Sequence, residues 1–398
     1  MEDPRCVNQR FQKMSKKNYS PVIGVLGGGQ LARMLADAAA PLGLSVRVLA
    51  PSNAALIPKA FSAAEIAPWT PENLVHFSQQ ADVIALENEF VDADALDALE
   101  RANTALLLPS ARAIRVIQDK LTQKQTLQRA GLPLPEFCAV DSPSGLVEAG
   151  NQWGWPVVLK KRRNGYDGKG NATIRNSEQA PAAYAALGHD GQDLYVERYC
   201  PFVRELAVMV VRSRTGETRT YPVVETRQKD HICHEVLAPA PDLPPGLAAK
   251  IQDMAIRAVE AFDLVGSVGI ELFLLADGSV AINEMAPRVH NSGHYTIEAC
   301  PCSQFENHLR ALLGWPLGDT SLITPAAVMV NLLGSSEGPG WPTGVEQALA
   351  TPGAHLHIYG KAESKPGRKM GHLTLCGEAL DTTLQLAREA AAHLRFGG

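Results

Sequence analysis

Gly269–Met285, GIELFLLADGSVAINEM, alternates apolar and polar residues about Asp277-Gly278. Asp-Gly between two such runs is a strong signal for a pair of strands joined by a tight turn. A two-residue turn there sets Glu271 directly opposite Glu284. It continues that face with Phe273 against Ile282 and Leu275 against Val280. Two facing carboxylates repel each other unless a cation or a shared proton lies between them. A hard divalent ion answers that repulsion, because magnesium takes oxygen ligands from one or two carboxylates together with phosphate oxygens. The plain alternative is two solvated acids at a sheet end.

The rest of the chain supplies partners for such a site. Trp155-Pro-Val-Val-Leu-Lys160 reads as a strand running into Lys161, Arg162 and Arg163, and Gly165-Tyr-Asp-Gly-Lys-Gly170 follows at once. Three glycines in six residues beside four cations make a flexible cover for phosphates. The Gly-Lys-Ser/Thr ending of a Walker loop is absent. Asp119-Lys120 opens a helix ahead of this segment. Leu194–Arg198 and Glu205–Val211 read as strands with a short connector between them, and Leu247–Phe262 as an amphipathic helix. Directly after Glu284 comes Ala286-Pro-Arg288-Val-His290-Asn291-Ser-Gly293-His294, a dense polar loop suited to steering an anion. Lys361–His372, KAESKPGRKMGH, is a basic loop with four cations.

Upstream, a strand at Pro21–Leu26, the loop Gly27-Gly28-Gly29-Gln30-Leu31, a helix and a strand at Leu44–Leu49 form the start of a doubly wound sheet. The second strand ends Val48-Leu49-Ala50-Pro51, without the acid that a dinucleotide ribose requires, so a dehydrogenase is excluded. The glycine loop keeps a phosphate-binding expectation. Asp82–Leu86 is a further strand, and Glu87 at its carboxyl end lies where open α/β sheets bind ligands. Its alternative role is capping a helix.

The 398 residues suffice for two or three domains. A composition 45% hydrophobic and 20% charged is ordinary for a globular protein. The net charge of −5 offers no basic field for nucleic acid or an anionic membrane. No apolar run approaches membrane-spanning length. Seven cysteines without paired metal spacing read as reduced thiols of a cytoplasmic protein. Residues 1–19 are polar and basic and read as a disordered leader.

Together GGGQLARM, DKLTQK, KKRRNGYDGKG, INEMAPRVHNSGH and KPGRKMGHL resemble the ATP-grasp ligases, and among them the 5-(carboxyamino)imidazole ribonucleotide synthase family, over about residues 21–380. The resemblance implies an α/β ATP-grasp fold: a doubly wound domain over 20–117, an ATP-grasp domain over 118–314 with a lid at about 134–199, and a small domain over 315–398. It also implies ATP- and bicarbonate-dependent carboxylation of 5-aminoimidazole ribonucleotide through carboxyphosphate, with magnesium as two ions, in a homodimer.

By the same resemblance, Lys120 and Lys160 contact the nucleotide phosphates, and Gly165, Tyr166, Asp167, Gly168, Lys169 and Gly170 close over them. Glu197 with Arg198, Tyr199 and Cys200 holds the adenine, and Glu205 the ribose, with Gln228 and Asn283 nearby. Glu271 and Glu284 hold the metal. Tyr166, Asp167, Arg288, His290, Asn291 and Lys361 serve the chemistry, Asp167 as a base. Gln30, Leu31, Glu87, Lys361, Arg368 and Lys369 hold the ribonucleotide. The chain departs from the family at Gln228, where relatives carry His, at Lys169, where some carry Arg, and at Lys229–His234, KDHICH, where relatives show an Asp-Gly-Ile turn. The nearest rivals are a formate-dependent glycinamide ribonucleotide formyltransferase and a nucleotide-binding protein without turnover.

Overall fold

A computed structural model describes residues 20–52, 61–165, 170–188 and 193–397. The chain forms two compact units that divide between Leu108 and Pro109.

The first unit is a five-stranded parallel sheet in the order β3-β2-β1-β4-β5, made of β1 (Val22–Leu26), β2 (Ser45–Ala50), β3 (Ala63–Ile66), β4 (Val83–Leu86) and β5 (Leu106–Leu107). β4 is buried along its whole length and β1 from Ile23 on, as continuous apolar runs are when helices cover both faces of a parallel sheet. The strand order reverses between β1 and β4, which is the switch point of the fold. The glycine loop leaves β1 there and Glu87 leaves β4.

The loop does not present an open anion site. Glu87 accepts hydrogen bonds from the backbone N–H groups of Gly29 (2.8 Å) and Leu31 (3.2 Å), at the start of helix Gln30–Ala39. This corrects the phosphate expectation, because an internal carboxylate already takes the helix N-terminus. The glycines make room for it: a Cβ at Gly27 or Gly29 would fall inside the van der Waals radius of that carboxylate. Gly29 has φ −86°, open to any residue, so its penalty is steric alone.

The second unit is built on a long antiparallel sheet. Its strands are β10 (Phe202–Arg212), β11 (Thr218–Thr220), β12 (Val224–Lys229), β13 (Ile232–Ala238), β14 (Gly266–Leu275), β15 (Val280–Ala286) and β16 (Ala326–Leu333), with Ala354–Ile358 and Lys369–Gly377. The order runs β15-β14-β10-β12-β13-β16 and on to the last two, with β11 beside β10. Residues after 314, the expected small C-terminal domain, continue this sheet through the pairing of β13 with β16. Their own core forms under helix Leu380–Ala392, which buries Leu384, Ala387 and Ala390. Helix Leu247–Ala261 packs Ile251, Ala255 and Ala258 on the inner face of the hairpin. Helix Ala111–Gln118 buries Ala113 and Ile117 in the same core. The expected lid is a separate four-stranded antiparallel sheet, β6-β9-β7-β8, of β6 (Phe137–Val140), β7 (Val157–Lys161), β8 (Asn171–Ile174) and β9 (Leu194–Arg198), with a core of its own.

The decisive hairpin forms with a register that differs from the simple expectation. Leu275 N–H donates to Ser279 across a three-residue turn, with Gly278 left-handed at φ 80°. Near the turn the pairs are Leu274 with Val280, Phe273 with Ala281 and Leu272 with Ile282, so the expected Phe273–Ile282 and Leu275–Val280 pairs do not form. A bulge between Glu271 and Leu272 then restores the register, and Glu271 does stand opposite Glu284. The bulge has a physical cause. Ile282 and Met285 both belong in the core, which strict alternation forbids at a spacing of three. The extra residue leaves Asn283 and Glu284 side by side, both partly exposed.

The KDHICH departure resolves as a second tight hairpin. Lys229 pairs with Ile232, and Asp230 and His231 take φ 52° and 63°. These are the two positive angles of a type I′ turn, reached here without glycine.

Gly29→Ala should lower the stability of the first unit by about 1–3 kcal/mol, the usual range for forcing a methyl into a packed contact. Thermal denaturation followed by circular dichroism reads this. An unchanged midpoint would show that Glu87 moves aside freely.

Candidate active site

Glu271 and Glu284 lie on the side of the hairpin opposite its buried face. Glu271 is pushed up to about 8 by burial first, then by the charges of Glu284 and Glu205; Lys120 and Lys369 pull the other way. Lys120 Nζ lies 2.9 Å from Glu284 Oε2. His290 Nε2 lies 3.5 Å from Glu271 Oε1. Among the described residues no group of three or more His, Cys, Asp or Glu side chains could hold a metal by itself. The donor set nonetheless fits magnesium, which needs few protein oxygens when phosphate and water complete its shell. A carboxylate pair that keeps a proton in the absence of a cation is the matching sign.

Two elements deliver the lysines. Asp119 caps helix Lys120–Arg129, accepting from the N–H groups of Leu121 and Thr122, and so fixes Lys120 on the first turn. Asp119 also receives Arg162 Nε at 3.0 Å and a second, shorter bond from Arg162 Nη2, while Lys120 N–H donates to the Arg162 carbonyl at 2.8 Å. The end of β7 and the start of the helix are thereby tied. Burial would raise the Asp119 carboxyl, but the Arg162 hydrogen bonds and charge outweigh it and hold it low.

Lys160 Nζ lies 3.0 Å from Glu197 Oε2, and Lys124 Nζ lies 2.9 Å from Glu197 Oε1. Glu197, expected beside the adenine, spends its buried carboxylate on these two ammonium groups. Burial alone would raise it, but Lys160 and Lys124 hold it below the usual carboxylate range. The connector after it offers an exposed Tyr199, an Arg198 paired to Glu136 at 2.7 Å, and Phe202 stacked on Phe273 with ring centres 4.5 Å apart. Glu205 is raised by burial and receives Gln228 Nε2 at 3.1 Å, so Gln228 does hold a site carboxylate.

The polar loop after the hairpin is held firmly. Gln304 clamps His290 by accepting from its N–H (2.9 Å) and donating to its carbonyl (2.7 Å), and Ser292 Oγ sits 2.9 Å from His290 Nδ1. A Cβ at Gly269 would collide with the His290 ring, so glycine there lets the loop lie on the strand. Asn291, expected in the substrate pocket, is buried. Its amide exchanges hydrogen bonds with Asn331 of β16 at 2.9 and 2.6 Å. Arg288 Nη1 donates to the Val289 carbonyl at 3.3 Å. Lys361 Nζ donates to the Lys369 carbonyl at 2.6 Å and Arg368 Nη1 to the Glu363 carbonyl at 2.7 Å, which shapes the basic loop. The charge of Lys369 reaches Glu271. Gly165 and Gly170 flank the flap; Tyr166, Asp167, Gly168 and Lys169 lie outside the described residues.

Residues 125–305 match the ATP-grasp domain, residues 21–118 the ribonucleotide synthetase preATP-grasp domain, and residues 327–386 the phosphoribosylaminoimidazole carboxylase C-terminal domain. The chain is 45% identical over 362 residues to the N5-carboxyaminoimidazole ribonucleotide synthase of Synechococcus elongatus, covering 89% of this chain and 90% of that one. It belongs to the N5-carboxyaminoimidazole ribonucleotide synthase family of ATP-grasp ligases. The phosphoribosylaminoimidazole carboxylase of Schizosaccharomyces pombe is 43% identical over 374 residues, which is 92% of this chain but 66% of that longer protein. The Aspergillus clavatus synthase, solved with ADP and 5-aminoimidazole ribonucleotide, superposes with TM-score 0.84 at 37% identity over 94% of this chain and 98% of that one. The Thermus thermophilus synthetase gives TM-score 0.83 at 42% identity, covering 93% and 97%. Family membership makes the chain an ADP-forming ligase enzyme that binds ATP.

Sequence reasoning singled out Lys120, Lys160, Glu271 and Glu284 and missed the residues that hold this site of the synthase family together. Asp119 carried a readable signal, as an acid directly before a helix. Lys124 and Asn331 carried none, because each finds its partner through the tertiary fold.

Two outcomes test this geometry. The native Glu271 keeps a proton that the unfolded chain, near 4.5, has lost, so its burial costs increasing stability as pH rises from about 4.5 to about 8. Glu271→Gln should therefore match the wild type near pH 4.5 and become progressively more stable than it toward pH 8, as paired melts without magnesium would record. Asn331→Ala should leave the Asn291 amide buried and unpaired, at a cost of about 1–3 kcal/mol in denaturant unfolding.

Proposed function

We propose that this chain uses ATP to carboxylate the exocyclic amine of 5-aminoimidazole ribonucleotide, giving N5-carboxyaminoimidazole ribonucleotide, ADP and phosphate, in purine biosynthesis. The observation that carries the reading is the complete match in domain order together with a solved relative holding ADP and that same ribonucleotide. Bicarbonate is the carbon source in this reading. Its oxygen attacks the terminal phosphorus of ATP, the bond to ADP breaks, and carboxyphosphate forms. The amine nitrogen then attacks the carboxyl carbon, the carbon–oxygen bond to phosphate breaks, and the amine proton passes to a base, for which Asp167 is the candidate.

The side chains suit these steps. Phosphoryl transfer is mostly positioning and charge stabilisation, so lysines fixed by buried carboxylates answer the need. Lys120 and Lys160 bind the nucleotide phosphates. Glu271 and Glu284, with Asn283 beside them, would hold magnesium, which supplies neutralising charge to the phosphoryl oxygens when bound. His290, oriented by Ser292, and Arg288 bind and orient the carboxyl-bearing anion. Lys361, Arg368 and Lys369 bind the ribonucleotide phosphate. The lid sheet excludes water from an intermediate that water would otherwise consume. Among the described residues, no helix is long and apolar enough to cross a membrane.

Phosphate release from magnesium–ATP should require 5-aminoimidazole ribonucleotide, and bicarbonate should be needed for the carboxylated product. Formate with glycinamide ribonucleotide should release none. Turnover with that second pair alone would move the chain to the formyltransferase reading.

A further inference from the structure

Lys124 is among the most enclosed cations of the second unit, with 3% of its side chain exposed. It stands one helical turn beyond Lys120 on helix Lys120–Arg129. Its ammonium forms an ion pair with Glu197 Oε1 at 2.9 Å and donates to the carbonyl of Asn283, the bulge residue, at 3.1 Å. The other oxygen of Glu197 is 3.0 Å from Lys160 Nζ. One buried carboxylate is therefore shared between a lysine that a ligand can reach, Lys160 at 21% exposed, and one that it cannot.

We propose that Lys124 is a positioning residue for nucleotide binding: it occupies the charge of Glu197, so that Lys160 keeps a net positive charge for phosphate. The argument is electrostatic. With Lys124 in place, the triad carries two positive charges and one negative. Without it, Lys160 is the one ionic partner of Glu197 among the described residues, and the pair is neutral. A neutral pair attracts phosphate only through a dipole, which falls off faster with distance than a charge, and burial of Glu197 weakens the screening of that loss. At 3% side-chain exposure, the ammonium has no open face for a ligand. The alternative is a purely structural strut between helix, lid strand and hairpin. The proposal rests on the reading of Lys160 as a phosphate ligand.

Titration calorimetry with magnesium–ADP separates these readings. Lys160→Met should weaken binding about tenfold or more, the loss typical of a desolvated charge–charge contact. Lys124→Met should weaken it about fivefold although Lys124 touches no ligand. Lys124→Met combined with Glu197→Gln should return the affinity to within about twofold of wild type, because Lys160 is then no longer neutralised. A strut that needs the Lys124 bond to the Asn283 carbonyl stays broken in the double variant and gives no such recovery. Should Lys124→Met fail to fold, with Glu197 left less compensated, the double variant decides alone, since replacing both members of a buried pair by neutral groups is tolerated. A double variant as weak as Lys124→Met, or more than about tenfold weaker than wild type, overturns the proposal. So does a Lys124→Met that binds like wild type. If Lys160→Met binds like wild type, the phosphate role of Lys160 is what fails, and the proposal falls with it for that separate reason.

Discussion

Opposed carboxylates at Glu271 and Glu284 share one side of a strand pair whose other side is closed in the core. Their repulsion is the constraint around which the second unit is arranged. Burial sharpens it, because charges facing each other in a low-dielectric setting cannot both ionise at little cost. The chain offsets it incompletely, with Lys120 against Glu284, His290 near Glu271 and the charge of Lys369 reaching in from the basic loop. What remains is a demand for positive charge, which under the proposed function a metal–nucleotide complex would meet.

The surrounding polar contacts keep that demand in one place. Asp119 ties the helix that carries Lys120 to the end of the strand that carries Lys160. Glu197 binds Lys160 and Lys124 from opposite oxygens. Gln304 clamps the His290 backbone, and the Asn291–Asn331 amide pair fastens the same loop to a strand of the C-terminal segment. Apart from the Gln304 clamp, these ties join elements far apart in the chain. Side chains set this way are already oriented when ligand arrives, which lowers the ordering cost of binding.

The first unit shows the converse arrangement. Its glycine loop has the spacing of a phosphate-binding turn, yet its N–H groups at Gly29 and Leu31 are taken by Glu87. The physics of the motif is unchanged, since a helix N-terminus still attracts an anion. The anion is simply supplied by the neighbouring strand at the switch point of the sheet.

The sequence by itself determined the elements whose signals are local. Apolar runs marked β1, β2 and β4, and Asp277-Gly278 marked the hairpin. Turn chemistry and side-chain period are properties of neighbouring residues, so they can be read in a line. The pairing of Glu271 with Glu284 was legible for the same reason, although two departures lay behind it: a turn one residue longer and a bulge one residue deep. Only the tertiary structure decided that bulge, because the demand that both Ile282 and Met285 reach one core arises from the helix packed beneath them. It also decided the partners of Glu87, Lys124, Glu197 and Asn291. A buried charge or amide must find its complement wherever the fold brings one, and no spacing in the sequence records where that will be.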